Sequence, residues 1–235
     1  RHKICYSAAG NFSGYDRASR FDIRFRALSR AECGPLSFNV ERHCRVAHRR
    51  PIFPAIELKI MKIEYVCHAC LLIETEDLRI ATDPWLGGAA YCGQWFVFPK
   101  PVNSEKLNAL DAIFISHGHE DHLHEETLRK LPKQAEVFYP YSFFGGAKEY
   151  LESLGFENVR EAVTYKKYKV SDKTSVTFII NSHDSLMVIE SGGEVLVNVN
   201  DALHSYPEKA IDFYIEALRE KSQQIDYVFC GFRGA

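Results

Sequence analysis

Ala112-Ile113-Phe114-Ile115-Ser116-His117-Gly118-His119-Glu120-Asp121-His122 runs from a short apolar stretch straight into a window of three histidines and an aspartate. Ala112–Ile115 has the length and composition of a buried strand, so the polar window falls at its C-terminal end. Imidazole and carboxylate are the donors that suit Zn²⁺ and neighbouring transition metals. The whole chain holds 10 histidines, and a lone one after a strand is usually a polar loop residue; three with an aspartate are not. His117 and His119, one residue apart, can converge on one ion. The adjacent Asp121-His122 pair points to a second ion a few ångströms away. Gly118 is expected to give the loop the freedom to turn between the first two ligands.

Outward from this window the chain reads as hairpins with helices inserted between them. Lys62–Val66, Ala69–Thr75 and Leu78–Thr82 alternate as strands, with Glu76-Asp77 as a hairpin turn. Asp83–Gly88 is loop by composition. Downstream, Glu125–Leu131 has helical spacing, Glu136–Tyr139 reads as a strand, and Gly146–Leu154 as a helix ended by Gly155. Ser175–Ile180, Leu186–Glu190 and Val195–Val199 are strands, with Gly192-Gly193 as a tight turn. Pro207–Glu220 is a helix with Pro in its first turn and apolar residues at 211, 214, 215 and 218; Ile225–Cys230 is a last strand. This order predicts an α/β protein in which sheets are covered by helices.

Composition divides the chain near Met61. Residues 1–60 carry 12 Lys/Arg against 5 Asp/Glu, and the remainder 17 against 26, so a net charge of −2 hides a basic segment of +7 and an acidic body of −9. The first segment shows no sustained period and ends in Arg50-Pro51-Ile52-Phe53-Pro54. It is expected to be a disordered or non-native leader, residues 1–61, ahead of a domain over 62–235. Its arginines are not interleaved with aromatics as base stacking would require, which argues against nucleic acid. No stretch is apolar enough for a membrane helix, and seven cysteines without ladder spacing point to reduced thiols in the cytoplasm.

The motif H-x-H-x-D-H, met in full by His117, His119, Asp121 and His122, resembles the signature of the metallo-β-lactamase superfamily. Asp83 in Thr82-Asp83-Pro84-Trp85, His183 in Asn181-Ser182-His183-Asp184, and Asp201 in Asn198-Val199-Asn200-Asp201 match further positions of that family. Tyr65–Ala69 resembles a turn of its lactonase and phospholipase-D-like branch. Thr82–Trp95 with Ile115-Ser116-His117 is similar to the hydrolase-like domain of the CMP-N-acetylneuraminate hydroxylases. The resemblance implies an αββα sandwich of two mixed sheets. It also implies His117, His119 and His183 on a first metal, Asp121 and His122 on a second, and Asp201 linking both. Zn²⁺ is the implied ion, one or two, with Mn²⁺ or Fe²⁺ compatible.

The family's last ligand, a histidine after a further strand, has no counterpart before Ala235, and His204 follows Asp201 too closely. A domain incomplete at its C-terminus, a weakly held second metal, or a different filling of that position are all consistent with this. The C-x-H and C-x-x-H pairs of a Rieske cluster do not occur. The implied activity is metal-assisted hydrolysis of a small ester, lactone, amide or phosphodiester, with Asp121 orienting the water. The alternative is a catalytically incomplete module partnering an oxidoreductase. His68 is expected to contact substrate, and Ser116 and Asp184 to hold the imidazole tautomers. Cys67-x-x-Cys70 sits at a turn and reads as packing, and Tyr91, Trp95, Phe96 and Phe98 as packing or a pocket wall.

Overall fold

The computed structural model describes residues 61–141, 145–181, 184–203, 207–221 and 224–231. The expectations that fall on residues 1–60, His183 and His204 lie outside the described residues.

β1 (Lys62–Cys67) and β2 (Cys70–Glu74) pair antiparallel across the two-residue turn His68-Ala69. His68 adopts φ 45°, the left-handed conformation such tight hairpins demand. The Glu76-Asp77 turn leads into β3 (Arg79–Thr82), and Thr75 Oγ1 accepts the Leu78 amide at 3.0 Å to close it. A 3-10 helix (Ser104–Ala109) precedes β6 (Ala112–Phe114), which lies parallel to β3, followed by parallel β7 (Glu136–Pro140) and β8 (Asn158–Ala162). The first sheet thus runs β1-β2-β3-β6-β7-β8. β9 (Lys167–Lys169), β10 (Thr174–Ile180), β11 (Ser185–Ser191), β12 (Glu194–Asn200) and β13 (Tyr227–Cys230) form the second, in the order β13-β12-β11-β10-β9. A small hairpin, β4 (Ala89–Ala90) with β5 (Trp95–Phe96), stands apart from both.

The sheets face each other across a core in which Ile73, Ile80, Phe114 and Phe138 meet Val176, Phe178, Met187 and Leu196. Phe114 stacks edge-on to Phe138 and to Phe178, with centroids 5.4 and 6.2 Å apart. Such pairs contribute about 0.5–1.5 kcal/mol beyond the area they bury. On the outer face of the first sheet, α1 (Glu125–Lys130) and α2 (Ala147–Ser153) bury Leu128 and Leu151 against Ile113, Ile115 and Val137. On the outer face of the second, α3 (Glu208–Lys221) lays Tyr214 and Leu218 over Val188 and Val197. The architecture is therefore αββα. Among the described residues, no helix is long and apolar enough to cross a membrane.

Three short elements and one residue depart from the sequence reading. β8 and β9 carry charge in alternation, Arg160 with Glu161 and Lys167 with Lys169, and lie at sheet edges where apolar runs are not required. The β4–β5 hairpin holds only two residues on each side, below the length at which alternation shows. Ile215, counted with the buried stripe of α3, is 38% exposed and faces outward.

Candidate metal centre

Because β3 and β6 are parallel and in register, their C-terminal ends open on the same edge of the first sheet. Asp83 follows β3 there, with φ 37°, and is fully buried. Its amide donates to Phe114 O at 3.0 Å, and its Oδ1 accepts the Ser116 amide at 2.7 Å. Asp83 is thereby the post to which the His/Asp turn is tied. A buried carboxylate is tolerated only with such donors. The turn then folds tightly: the His122 and Leu123 amides both donate to His119 O, at 3.0 and 2.8 Å. His124 caps α1, its ring accepting the Thr127 amide, and is buried against Trp85 rather than solvent-facing. Gly118 does not take a positive φ, and a Cβ there would meet nothing within 4 Å. The expected need for glycine's backbone freedom is thus not met; the position borders open space instead.

The second sheet contributes from the ends of its strands. Asp184, just ahead of β11, brings Oδ1 to 3.1 Å from His117 Nδ1. Asn200, the last residue of β12, donates its amide to Asp83 Oδ2 and to Ser116 Oγ, the latter at 2.6 Å. Asp201 brings Oδ2 to 3.6 Å from His122 Nε2.

These contacts define three overlapping donor groups whose ligand atoms lie within 4.8 Å of one another: His117, His119 and Asp184; His117, His122 and Asp201; His68, Asp121 and His122. His117 Nδ1 faces Ser116 Oγ at 2.9 Å and Asp184, which leaves Nε2 turned to His119 Nδ1, 2.7 Å away. His122 Nδ1 faces Asp83 Oδ2 at 3.3 Å, which leaves Nε2 between Asp121 Oδ2 and Asp201 Oδ2, 3.6 Å from each. In both rings the nitrogen tied to a carboxylate fixes the tautomer and presents the other for coordination.

Electrostatics follow from this packing. Burial and the neighbouring His122 charge depress His117 to about 4. Burial opposes a charge on His122 as well, but the carboxylates of Asp201, Asp83 and Asp121 override it and raise the ring to about 10. Asp121 is held well below the usual carboxylate range, burial being outweighed by His68, the charge on His122 and the Tyr91 phenol. Tyr91 OH donates to Asp121 Oδ1 at 2.6 Å, and burial with that bond pushes the phenol up.

The donors fit a divalent cation. His122 Nε2 is buried without a hydrogen-bond partner among the described residues. It faces two carboxylate oxygens at a spacing close to what ligands about 2.0–2.2 Å from a shared ion adopt. Of the residues read from sequence, His117, His119, Asp121, His122 and Asp201 converge, and Asp83 and Ser116 brace them. Asp184 lies beside His117 Nδ1, where a group that holds the tautomer is expected, while His68, read as a substrate contact, brings Nε2 to 3.3 Å from Asp121 Oδ2. Cys67 and Cys70 are buried packing residues, with Cys67 Sγ donating to Trp85 O at 3.1 Å and burial raising its thiol to about 12. Asn200 escaped the sequence reading altogether. Its only signal was its place beside Asp201.

A four-layer αββα sandwich with a His/Asp cluster at one edge defines a protein of the metallo-β-lactamase class. The model of the family described as "Beta-lactamase superfamily domain" matches residues 62–210, and the chain belongs to that superfamily. A protein named as a Rieske 2Fe-2S iron-sulfur protein, from Mycolicibacterium smegmatis, is 30% identical over 188 residues, covering 74% of this chain and 35% of that protein. Cytidine monophosphate-N-acetylneuraminic acid hydroxylase of Pan troglodytes is 41% identical over 73 residues, 30% of this chain and 12% of the hydroxylase. Among solved structures, CmlA, a diiron β-hydroxylase from Streptomyces venezuelae, superimposes with a TM-score of 0.53 at 20% identity, covering 72% of this chain and 34% of CmlA. The chain thus spans about a third or less of the length of these relatives.

Proposed function

We propose that this domain is a metal-dependent hydrolase that directs a water onto a small ester, lactone, amide or phosphodiester. The observation that supports it is the convergence of imidazole and carboxylate atoms from both sheets into overlapping groups. His117, His119 and Asp184 would hold one ion. Asp121, His122 and His68 would hold a second, with Asp201 between them; His183 would add to the first. The chemistry supplied there by Zn²⁺, Mn²⁺ or Fe²⁺ is acidification of a water and polarisation of the substrate oxygen.

The chain's own residues do the rest. Tyr91 pins Asp121 Oδ1 and so fixes the carboxylate with Oδ2 facing His68 and His122, the orientation from which Asp121 would hold an ion and orient a water. Asp83 and Ser116 hold the rings of His122 and His117 in fixed tautomers. The free thiols of Cys67, Cys70, Cys92 and Cys230 are in keeping with a cytoplasmic setting.

The test is turnover of 4-nitrophenyl acetate and γ-butyrolactone by the full chain supplied in turn with Zn²⁺, Mn²⁺ and Fe²⁺. Metal-dependent turnover that His117→Ala abolishes is expected; none with any of the three ions rejects the hydrolase. A second reading, a metal-holding part of a longer oxygenase, is favoured by the iron-protein and hydroxylase names of the relatives. Iron-dependent oxygen consumption without hydrolysis would select it.

A further inference from the structure

A cavity of about 390 Å³ opens beside His117, Gly118 and His119, and neither Tyr91 nor Asp121 lines it. Its walls are Ile115, Leu123, Pro140, Leu151 and Ile180, with Ala147 at the start of α2 and the rings of Tyr139, Tyr141 and Tyr150. Among the described residues, no lysine, arginine, aspartate or glutamate lines it. The cations nearest in sequence, Arg129 and Lys148, are turned to the solvent side and paired with Glu125 and Glu152. Two of the phenols donate to carboxylates: Tyr139 OH to Glu161 at 3.0 Å and Tyr150 OH to Glu125 at 3.1 Å. Burial and Glu125 raise the Tyr150 phenol to about 12, so the wall stays neutral. The carboxylates lie behind the rings, Glu125 paired there with Arg129, and the described wall away from the two imidazoles carries no charged side chain.

Resting on the hydrolase reading, we propose that this cavity is the chamber for the substrate's side group and that it selects an uncharged ring or short chain. The position of Gly118 supports the geometry: it lines the chamber together with His117 and His119, and a Cβ there would meet nothing within 4 Å beyond its chain neighbours, so the chamber adjoins the two imidazoles. The volume is at the lower end of the ~300–1,000 Å³ typical of small-molecule sites. An anionic side group seated against the apolar wall, away from the imidazoles, would lose its hydration and gain no partner from that wall. Substrates whose side group is itself charged are disfavoured. Neutral aryl or short-acyl esters, lactones and amides remain.

Binding and turnover are measured on the same full-length preparation. The binding probes are 4-phenylbutanamide and its para-sulfonated analogue, which keeps the amide and puts an anion in the chamber. The neutral amide is expected to bind, and the sulfonate to bind roughly tenfold or more weakly. Ala147→Trp and Ile180→Trp, which fill the chamber from opposite walls, are each expected to weaken the amide by about tenfold. Equal binding of the sulfonate, no binding of the amide, or affinity unchanged in both filled variants overturns the chamber. Turnover of 4-nitrophenyl butyrate separates the two readings. Selective binding without metal-dependent turnover keeps the chamber and rejects the hydrolase. Turnover that neither tryptophan disturbs keeps the hydrolase and rejects the chamber.

Discussion

The two sheets supply the centre in different ways. The first contributes a contiguous run, Ser116–His122, hung from the end of a buried strand and tied to Asp83 on the strand beside it. The second contributes isolated groups, Asp184, Asn200 and Asp201, each at a strand end and each separated from the turn by more than sixty residues of chain. The first sheet's donors follow one another along a single turn; the second's, although Asp184 is fixed locally by Asn181, meet that turn through the closing of the sandwich. The core between the sheets, built on Phe114, Phe138 and Phe178, therefore sets the alignment of donor atoms as well as stability.

Three substitutions break or sharpen that contrast. His122 touches both contributions, Asp83 and Asp121 from the first sheet and Asp201 from the second. His122→Ala removes the imidazole from buried Asp83 and leaves it only the Ser116 and Asn200 amides, at an expected cost of about 3 kcal/mol by urea unfolding of chelated protein. Asn200→Ala removes the amide that bridges the sheets, donating to Asp83 and Ser116. A loss of about 2 kcal/mol in the same assay is expected, and a value near zero would show that the bridge is dispensable. Tyr91→Phe acts within the first sheet's side alone and frees Asp121 Oδ1. It is expected to lower kcat by roughly tenfold, as loss of a bond to a charged group does, while stability hardly changes.

The smallest effect lies away from the centre, where Lys106 and Lys62 hold Glu64 down to about 2 from an ordinary 4.5. A depressed carboxyl stabilises the fold above about pH 4.5, and that contribution disappears as pH falls toward 2. Solvent screening leaves about 0.5 kcal/mol. Lys106→Met should flatten the acid limb of a pH–stability profile by that amount.

The first sheet's half of the centre was legible in the sequence because its donors are consecutive and follow an apolar run that could only be a buried strand. Asp83 was legible through the resemblance, and its physical task, accepting the Ser116 amide, became visible only with β3 and β6 side by side. His68 shows the opposite case. The resemblance made it a substrate contact, yet the tight β1–β2 turn brings it to 3.3 Å from Asp121, within a donor group. Asn200 carries no charge and had no signal beyond its place beside Asp201, although its amide joins the sheets. The charged edge strands β8 and β9 were illegible for a similar reason, since edges need no apolar alternation. The apolar chamber is contributed by β6, β7, α2 and β10 together, a grouping that no stretch of sequence contains.

Metal content per chain, by elemental analysis of the purified full-length protein beside His117→Ala and His119→Ala, tests the central claim most directly. The account predicts at least one divalent ion per wild-type chain and its loss from both variants, with folding retained by circular dichroism. Wild-type metal content persisting in both variants would contradict it.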